Sequence, residues 1–508
     1  MSVVKKNIIA NFVGSIWLAI MGLAFIPIYI KFLGVESWGL IGIFSTLQIV
    51  LSLLDLGLSS TLNREIARLS EINGKEQEIN NLVRTLEVVY WCISVILSII
   101  IFLLAPVIAE HWIRAENISQ NVISQTIMIM GIITALQMPI GLYTGGLMGL
   151  QKHVFLNKIN IIVGTLRGLG TVLILWLISR TILAFFIWQI VTSLLNFFLV
   201  YRYLWSYLPN VKIKATFEIN LLKNIWKFAA GVSGISILAV VLTQIDKIIL
   251  SKTITLENFG YYILASTIAA SMSRIVSPIF SSIYPKFTQL VSRNEHLELI
   301  KFYHKICQFL SALLLPATMI ISIFSYNIIL IWTQNRILAE NSHVVVSILI
   351  IGSAINGLMH PPYALQLAFN WTKLSFLKNV FSILFIVPLI FFLTINYGII
   401  GAAIAWLILN IADFFFEIKI MHTKLLKNEK LIWYIYDVGL PFLVAITIAG
   451  LGWILMGKNF TQTMTIIYIL SLTFLTYIGT FLITPTTRKL ILQYYTNFKK
   501  RNDSLNGI

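Results

Sequence analysis

The chain has 508 residues, of which 58% are hydrophobic and only 11% are charged, and its formal net charge is +17. A soluble domain carries roughly 25% charged residues, so this composition excludes a soluble enzyme and predicts a protein that crosses a membrane many times. The two cysteines, Cys92 and Cys307, both lie inside apolar runs. Their positions argue against a disulfide framework and against a thiolate metal site.

Apolar runs of about 20 residues, each long enough to cross roughly 30 Å of hydrocarbon, recur from the first residues to about residue 485. The first run follows Lys5 and Lys6 and lacks a small-residue cleavage site, so it is interpreted as a retained helix rather than a signal peptide. A hydropathy window of about 19 residues predicts fourteen transmembrane helices, at 8–30, 38–62, 85–109, 122–148, 155–178, 181–204, 225–250, 259–285, 303–332, 343–368, 374–395, 398–420, 435–456 and 462–484.

The distribution of basic residues predicts the orientation of these helices. With a cytoplasmic N-terminus, seven of the 37 lysines and arginines fall at outer ends and two fall within helices, which leaves 28 on the inner side. Short cytoplasmic loops carry the excess of Lys and Arg, so both termini are predicted to be cytoplasmic. The net charge is then an orientation signal with some attraction to anionic headgroups of the lipid bilayer, and no nucleic-acid partner is expected.

A repeated pattern divides the chain into two halves. The segments 31–39 (KFLGVESWG) and 252–260 (KTITLENFG) share the pattern K-x4-E-x-aromatic-G and lie 221 residues apart. Ser37 and Asn258 are placed to cap the helix that follows each copy. Six helices per half is an even number, so the halves are expected to form a parallel repeat with one shared orientation. The predicted parts are an N-terminal six-helix lobe (1–204), a cytoplasmic linker (205–224), a C-terminal six-helix lobe (225–420), two extra transmembrane helices (421–485) and a cytoplasmic tail (486–508).

Polar residues at helical spacing mark faces that avoid lipid. Such stripes consist of Ser45, Gln48, Ser52, Asp55 and Ser59 on the second helix, Asn157, Asn160, Gly164, Arg167 and Thr171 on the fifth, and Thr267, Ala270, Arg274, Ser277 and Ser281 on the eighth. Small polar residues also join membrane helices to one another, which is the alternative interpretation of the first stripe.

Arg167 and Arg274 are the deepest predicted charges, one in each half. A cation at membrane depth costs about 2.5–3.5 kcal/mol on insertion scales, so each must face a wet cavity, a carboxylate or an anionic ligand. We predict that both line a substrate-binding cavity between the two bundles. The alternative is that each joins helices through carbonyls or through an acid such as Asp55. The accessory candidates for the site are Lys31, Lys252, Asp55 and Gln48. For the two lysines, an equally good interpretation is that they belong to a loop whose charged groups neutralise one another.

Two further features are read from the second half. Asp413 and Glu417 lie one helical turn apart and could bind a cation or a proton. The favoured interpretation is that they pair with Lys419 or another base. His360, followed by two prolines, predicts a kink. The sequence contains no phosphate-binding loop, no nucleotide-binding glycine motif and no histidines at metal-ligand spacing. ATP hydrolysis, a metal and a cofactor are therefore not expected.

Several short phrases occur along the chain in a characteristic order: Phe32–Leu40 (FLGVESWGL), Leu54–Ser60 (LDLGLSS), Asn63–Arg68 (NREIAR), Gly149–His153 (GLQKH), Gln244–Ile248 (QIDKI) and Phe259–Tyr262 (FGYY). With these phrases the chain resembles the polysaccharide and oligosaccharide flippase branch of the multidrug/oligosaccharidyl-lipid/polysaccharide exporter superfamily. The resemblance covers nearly the whole chain. It implies an all-α polytopic fold like that of multidrug and toxin extrusion (MATE) transporters, with fourteen helices arranged as six plus six plus two.

The resemblance implies a flippase in the inner membrane of a bacterium. Its substrate would be an undecaprenyl-pyrophosphate-linked repeat unit for O-antigen or a related polysaccharide, moved from the cytoplasmic to the periplasmic leaflet by alternating access of the two halves. The family's cavity is typically cationic, which agrees with Arg167 and Arg274. The driving force would be the membrane potential or a gradient of a coupling ion, proton or sodium, and the polysaccharide polymerase machinery would be a partner.

Two other functions remain open at this point. A membrane enzyme of the same pathway, such as a polymerase or ligase, would be expected to need a substantial outer loop, whereas the longest outer segments span about a dozen residues or fewer. A multidrug/cation antiporter of the same superfamily predicts carboxylates, rather than arginines, as the deepest charges.

Overall fold

The computed structural model describes residues 3–211, 213–457, 459–485 and 488, without the side chains of residues 3–10, 12 and 224–236. The predicted cytoplasmic tail, 486–508, lies outside the described residues apart from Arg488. The described chain is almost entirely helical, with no strands. This confirms the predicted all-α fold class.

The helices of the described residues are α1 (Val3–Ala24), α2 (Ile26–Leu33), α3 (Val35–Leu51), α4 (Leu58–Leu69), α5 (Glu76–His111), α6 (Gln120–Gly149), α7 (His153–Leu177), α8 (Ile182–Tyr207), α9 (Ile219–Thr253), α10 (Leu256–Ser292), α11 (His296–Ile323), α12 (Ser325–Thr333), α13 (Arg336–Leu358), α14 (His360–Ala368), α15 (Thr372–Lys424), α16 (Lys430–Ile432), α17 (Leu440–Leu455) and α18 (Gln462–Ile483). A 3-10 segment, Ser52–Asp55, follows α3, and a π-helical segment, Trp433–Gly439, precedes α17.

Twelve stretches of the described chain are long and apolar enough to cross a membrane. Helix α15 counts once among them, although Gly398 inside it has the non-helical angles φ 56° and ψ −137° and so separates two helices. Helix α9 is not among the twelve. The count of fourteen predicted from the sequence therefore stays a prediction.

The second predicted helix is divided in the structure. It consists of α3, the 3-10 segment and α4, because Leu56 and Gly57 adopt left-handed φ angles of 49° and 73°. A glycine adopts this conformation at little cost, whereas a leucine is strained there. The prediction of one continuous helix over 38–62 was therefore wrong, and the break falls directly after Asp55.

Three other predicted helices are also divided in the structure, and two of these breaks lie beside a proline. The first predicted helix divides into α1 and α2 at Phe25, two residues before Pro27. The kink predicted at His360 is confirmed, since α13 ends at Leu358 and α14 begins at His360. The ninth predicted helix divides into α11 and α12 at Phe324, where no proline or glycine marks the break.

Contacts between helices group the chain into two compact units, Met1–Gly260 and Tyr261–Ile508, and the boundary falls inside α10. In the first unit, α6 packs against α4, α5 and α8, and α7 packs against α1 and α8. The apolar core between these helices includes the buried side chains of Leu62, Leu86 and Leu142. Helix α9 packs against α3, α4 and α5. The lobe boundaries were predicted from the sequence repeat and not from contacts between helices. They stay a prediction.

The second unit is built around α11, which packs against α13, α17 and α18. Tyr477 and Thr480 on α18 donate hydrogen bonds to the carbonyl oxygens of Leu313 and Ala312, at 3.1 and 3.4 Å. Helix α13 in turn packs against α12 and α15. The last two helices therefore pack directly on the central helix of this unit.

A buried ionic cluster joins α11 to the π-helical segment. His304 Nδ1 lies 2.5 Å from Oδ2 of Asp437, and its Nε2 lies 3.0 Å from Oε2 of Glu429. Gln308, one turn further along α11, donates from Nε2 to Oδ1 of Asp437 at 3.0 Å. The side chain of Asp437 is fully buried. A buried carboxylate with both oxygens engaged depends on these partners for its stability.

The two copies of the repeated pattern meet in the first unit through their glycines. A Cβ atom at Gly39 would lie 2.5 Å from the backbone oxygen of Leu256, and one at Gly260 would lie 2.4 Å from the backbone oxygen of Val35. Val35 and Leu256 are 221 residues apart, as are the two glycines. The contact is therefore reciprocal, and it requires a residue without a side chain at both positions.

The capping role predicted for Ser37 and Asn258 was wrong. Helices α3 and α10 begin three residues earlier than those caps require, directly after Gly34 and Thr255. Gly34 supplies a positive φ of 82° at the turn into α3, and the hydroxyl of Thr255 accepts a hydrogen bond from the backbone N–H of Asn258 at 3.4 Å.

Adding a methyl group at Gly260 is expected to destabilise the protein, because the methyl would overlap a backbone oxygen of a packed helix. Overpacking of this kind costs about 1–3 kcal/mol. Gly450 on α17 is a matched control, since a Cβ atom there meets nothing within 4 Å. Gly260→Ala should lower the melting temperature of the purified protein, while Gly450→Ala should leave it unchanged or raise it. An unchanged melting temperature for Gly260→Ala would contradict the close contact.

Candidate functional site

A cavity of about 460 Å³ lies in the first unit, between α3, α4, α5, α6 and α9. The polar side chains that line it are Gln48, Ser52, Asp55, Ser59, Ser60, Tyr90, Thr134 and Gln137. Four of these belong to the stripe predicted on the second helix, so the stripe faces this cavity as expected. Polar groups at membrane depth need protein or water partners, so such a lining suits water or a polar ligand.

The local sequence explains how the cavity is built. Gly145 and Gly149 on α6 allow α4 to approach closely, since Cβ atoms there would lie 2.6 Å from the Ser59 oxygen and 2.7 Å from the Asn63 oxygen of the backbone. The left-handed turn at Leu56 and Gly57 separates α4 from the 3-10 segment, so the chain ends one helix and begins another at the cavity wall. A broken membrane helix of this kind is typical of ion and substrate sites in transporters.

The centre of the cavity wall is a cluster of three oxygen-bearing side chains. Oδ1 of Asp55 accepts hydrogen bonds from the hydroxyl of Ser59 and from the phenol of Tyr90. The two hydroxyl oxygens are 3.0 Å apart. Tyr90 is only 1% exposed, on α5. The cluster therefore fixes one carboxylate oxygen between two donors.

The charge of this cavity is negative. Among the described side chains that line it, Asp55 is the only acidic one, and no lysine, arginine or histidine contributes to the wall. The amide nitrogen of Gln48 is buried there without a hydrogen-bond partner. This cavity therefore suits a cation or a neutral polar group, and it does not suit a pyrophosphate.

Arg167 lies on α7, partly buried and away from this cavity. Its Nη2 donates a hydrogen bond to the hydroxyl of Ser193 on α8 at 3.0 Å, and its Nε is buried without a partner among the described residues. It forms no ion pair with Asp55 or with any other described carboxylate of its unit. Two other stripe residues of α7 contact α1, since Asn157 bonds to Asn11 at 2.6 Å and Gly164 meets Leu18, whereas Thr171 accepts a hydrogen bond from Gln189 on α8 at 3.3 Å. The substrate-binding role of Arg167 stays a prediction.

Arg274 lies on α10 with an exposed side chain, in the second unit. The other exposed residues of its stripe are small or polar, namely Ala270, Ser277 and Ser281, and the neighbouring Ser273 is exposed as well. Along the described part of α10 only Tyr284 is a large exposed hydrophobic residue. Lipid-facing helices look different, since α5 exposes Ile96, Ile99 and Leu103 by 54–68%.

The exposed face of α10 is therefore a polar face that carries one arginine. An arginine turned toward hydrocarbon is costly and small hydroxyls gain nothing from lipid, so a face of this composition faces water in a membrane protein. A guanidinium in water can grip phosphate oxygens in a bidentate fork. The geometry thus agrees with a site for an anionic substrate, and the substrate-binding role of Arg274 stays a prediction.

The accessory lysines lie in the last turns of helices, Lys31 in α2 and Lys252 in α9. Glu36, five residues after Lys31, is only 5% exposed and accepts hydrogen bonds from the backbone N–H groups of Glu116 and Asn117, at 2.7 and 3.0 Å. It therefore fixes the loop between α5 and α6. The ammonium group of Lys252 lies 5.0 Å from the ring centre of Trp112. These contacts agree with the interpretation of the repeated pattern as a self-satisfying loop, while a ligand role for the lysines stays a prediction.

Asp413 and Glu417 both pair with Lys378 on the same helix, α15. The distances from its Nζ are 3.3 Å to Asp413 Oδ2 and 3.0 Å to Glu417 Oε2. Gln366 donates to the other oxygen of Glu417 at 2.7 Å. The favoured interpretation of a carboxylate–base pairing is confirmed, but the base is Lys378 rather than Lys419.

Sequence analysis missed the part of the cavity that comes from α5 and α6. Tyr90, Thr134 and Gln137 stand in long apolar helices without a motif. One usable signal exists for Tyr90, since Glu87 and Ser94 lie three residues before and four residues after it. Residues at this spacing share one helix face, so α5 carries a short polar stripe as well.

Comparisons with known proteins agree with this architecture. Residues 4–291 match the model of a family described as "Polysaccharide biosynthesis protein". A Shigella flexneri protein named "Putative O-antigen transporter" is 20% identical over 419 residues, which cover 81% of this chain and 96% of that protein.

Solved structures show the same fold. A lipid II flippase MurJ in an inward closed conformation superposes with a TM-score of 0.70 at 16% identity, over 95% of this chain and 99% of that one. A multidrug resistance MATE family transporter in an inward-facing conformation gives a TM-score of 0.61 at 11% identity, over 82% of this chain and 95% of that one. The fold is therefore MATE-like, as predicted. Because the family model matches more than half of the chain, this multi-pass membrane protein belongs to the polysaccharide biosynthesis protein family.

Proposed function

We propose that the protein is a secondary transporter that flips an undecaprenyl-pyrophosphate-linked oligosaccharide, the repeat unit of O-antigen or a related polysaccharide, from the cytoplasmic to the periplasmic leaflet. Family membership supports the pathway, and the names of the relatives, an O-antigen transporter and a lipid II flippase, support transport rather than polymerisation or ligation. The single observation that carries the proposal is the exposed polar face of α10 with Arg274.

The mechanism follows from the cost of moving each part of the substrate. A pyrophosphate alone in hydrocarbon is prohibitively costly, as is a sugar with many hydroxyls, whereas a polyprenyl tail is stable in lipid. Arg274 and Arg167 would hold the pyrophosphate while the sugar crosses in water and the tail stays in the bilayer. Release on the far side requires moderate affinity, which favours two separated arginines over one tight cluster.

The location and partners of the protein belong to the same proposal. The excess of basic residues on one side of the predicted helices supports cytoplasmic termini in a bacterial inner membrane. The polysaccharide polymerase, which would use the flipped repeat unit, is the expected neighbour. A gradient of protons or sodium, or the membrane potential, would supply the driving force, because the sequence contains no nucleotide-binding motif.

A multidrug/cation antiporter of the same superfamily is the second candidate. The negative cavity around Asp55 favours it, because a lone carboxylate attracts cationic compounds. The family match and the arginine on the polar face of α10 favour the flippase, and a carboxylate is also what a coupling cation requires.

Deletion of the gene tests the proposed function. We expect surface polysaccharide to disappear while the undecaprenyl-pyrophosphate-linked repeat unit accumulates in the cytoplasmic leaflet, because synthesis of the repeat unit continues without its transport. Mass spectrometry of extracted lipids measures the intermediate, and a membrane-impermeant sugar-modifying reagent reports its leaflet. Normal surface polysaccharide in the deletion strain, or an intermediate that accumulates in the periplasmic leaflet, would contradict the proposal.

A further inference from the structure

The second unit contains a histidine that lies between two carboxylates. On α11, His304 has Nδ1 at 2.5 Å from Oδ2 of Asp437 and Nε2 at 3.0 Å from Oε2 of Glu429. An ionised carboxylate only accepts hydrogen bonds, and a neutral imidazole carries only one N–H. Two such contacts need two hydrogens, so the three groups together hold one proton more than a neutral histidine with two carboxylates.

We infer that this ionic cluster of His304, Asp437 and Glu429 is a pH-sensitive link between α11 and the π-helical segment Trp433–Gly439. The link holds while the additional proton is bound, and it loosens when the proton leaves to water. Protonation of histidines is a common means by which proteins make a contact depend on pH. The link involves no substrate, so it is independent of the proposed function.

Burial makes the proton decisive for the charge balance of the cluster. The side chain of Asp437 is fully buried, and those of His304 and Glu429 are only 13% and 18% exposed. Gln308 donates to the second carboxylate oxygen of Asp437 at 3.0 Å, but it is neutral and cannot balance a charge. Without the proton, two negative charges would face one neutral ring with little water around them, which is unfavourable.

A second histidine nearby shows the opposite arrangement. Near the end of α15, His422 has Nδ1 at 3.0 Å from the carbonyl oxygen of Ile418 and Nε2 at 3.3 Å from the hydroxyl of Tyr303. A carbonyl only accepts and a hydroxyl can donate, so one hydrogen on Nδ1 satisfies both contacts. The neutral form therefore satisfies His422, whereas it leaves one contact of His304 without a hydrogen.

The elements around the cluster contribute few other titratable groups. Those that face it are Tyr303 and Cys307 on α11, Tyr434 in the π-helical segment, Lys430 on α16 and His422 on α15. Histidine is the residue type of this set whose ordinary titration lies nearest to neutral pH. Since His422 is satisfied without a second proton, His304 is the group on which the charge of the cluster depends.

The other helices that pack on α11 place their titratable groups elsewhere. Helix α17 contains none, and on α18 the phenol of Tyr477 donates to the carbonyl oxygen of Leu313, nine residues beyond His304. The titratable residues of α13 lie in its first turns, where His343 packs on Tyr326 of α12. On α14, His360 and Tyr363 both pack on Phe280 of α10.

The backbone beside the cluster is irregular. Asp437 lies within the π-helical segment, and Glu429 directly precedes α16. Turns of π-helix are rare and often occur at functional sites. The same segment has an apolar contact with α15, since the fully buried ring of Trp433 lies 5.1 Å from the ring of Phe414 between centres. The ionic cluster is thus its polar attachment to α11.

The last two helices would respond to the state of this attachment. Helix α17 continues from the π-helical segment, and both α17 and α18 pack on α11. Loss of the proton would therefore weaken the attachment at alkaline pH, and acidic pH would strengthen it. In the predicted orientation α11 begins at the cytoplasmic side, so the cluster would respond to the pH of the cytoplasm.

The melting temperature of the purified full-length protein, measured from acidic to alkaline buffers, tests this inference. The wild-type protein should show a downward step as the pH rises, because the link is lost with its proton. The variant His304→Gln lacks the titrating group, so it should melt at a lower temperature in acidic buffer and show no such step. His296→Gln is the matched control, since His296 is exposed at the start of the same helix, and it should keep the step.

Hydrogen–deuterium exchange of the wild-type protein keeps the test decisive if His304→Gln does not fold. After correction for the pH dependence of the chemical exchange rate, the amides of residues 429–440 should exchange faster in alkaline than in acidic buffer, relative to those of α13. Equal steps in the wild type and His304→Gln would overturn the inference, as would a wild-type protein without a step or with pH-independent exchange of 429–440. Neither measurement uses a substrate, so the result stands whether or not the protein flips a lipid-linked sugar.

Discussion

Replacing Arg274 by alanine should remove most of the surface polysaccharide that the wild-type gene restores to a deletion strain. Charge-assisted hydrogen bonds to a phosphate contribute about 1.5–3 kcal/mol, which corresponds to a loss of roughly ten- to 150-fold in substrate binding. Arg274→Lys keeps the charge but loses the bidentate fork, so it should restore less polysaccharide than its charge alone suggests. The measurement is surface polysaccharide at matched protein levels.

Arg293 provides the control for this series. It follows α10 directly, has a largely exposed side chain and lies 3.8 Å from Glu295, so Arg293→Ala removes the same charge near the end of the same helix. It should restore normal polysaccharide. If Arg274→Ala is inserted and fully active, the guanidinium does not hold the substrate and the polar face of α10 serves helix packing instead.

Arg167 is expected to behave like Arg274, and its hydrogen bond to Ser193 offers a way to separate two roles. If Arg167 binds the pyrophosphate, Ser193→Ala should retain most activity, because the guanidinium remains in the membrane without that bond. If Arg167 only joins α7 to α8, then Ser193→Ala and Arg167→Ala should have similar effects on stability and on transport. The comparison needs melting temperatures as well as polysaccharide levels.

Removal of Asp437 is expected to give the largest loss of stability. Asp437→Ala leaves His304 and Gln308 buried without their shared partner, and breaking a buried ionic cluster by removing one member costs about 3–5 kcal/mol. The purified variant should melt at a clearly lower temperature than the wild type. Because replacing buried charges together by apolar residues is often neutral, the double variant His304→Leu/Asp437→Leu should recover part of that loss.

Lys301 on α11 supplies the matched control for this cluster. It pairs with Glu298 at 2.9 Å, but both side chains are more than 60% exposed. An exposed pair contributes about 0–1 kcal/mol, so Lys301→Ala should leave the melting temperature almost unchanged. Equal melting temperatures for Asp437→Ala and the wild type would show that the cluster does not hold α11 to the π-helical segment.

The sequence was sufficient for features that follow from hydropathy and periodicity. The long apolar runs predicted membrane helices, and the spacing of Gln48, Ser52, Asp55 and Ser59 placed them on one face, which lines the cavity in the structure. The repeat of K-x4-E-x-aromatic-G reappears as the reciprocal contact of Gly39 and Gly260 with the opposite helix. Each of these features depends on residues that lie close together in one helix or that recur at a fixed spacing along the chain.

Features that depend on distant pairing were not predictable in this way. His304 and Asp437 are 133 positions apart in the sequence, and Lys378 meets Asp413 and Glu417 because the two halves of α15 fold back on each other. The break at Leu56 was missed because leucine is a good helix former and only the neighbouring glycine hints at a left-handed turn. Tyr90 was missed because most residues of its helix, α5, are apolar.

The central claim is that the protein moves a lipid-linked oligosaccharide across the membrane. The most direct measurement uses vesicles that contain the purified protein and an undecaprenyl-pyrophosphate-linked oligosaccharide, with a proton gradient or membrane potential imposed across the bilayer. A membrane-impermeant glycosidase added outside cleaves only sugars in the outer leaflet. With the wild-type protein, cleavage should proceed past the fraction initially exposed, and with Arg274→Ala it should slow toward the rate in empty vesicles. Cleavage that stops at the initially exposed fraction with the wild-type protein would contradict the claim.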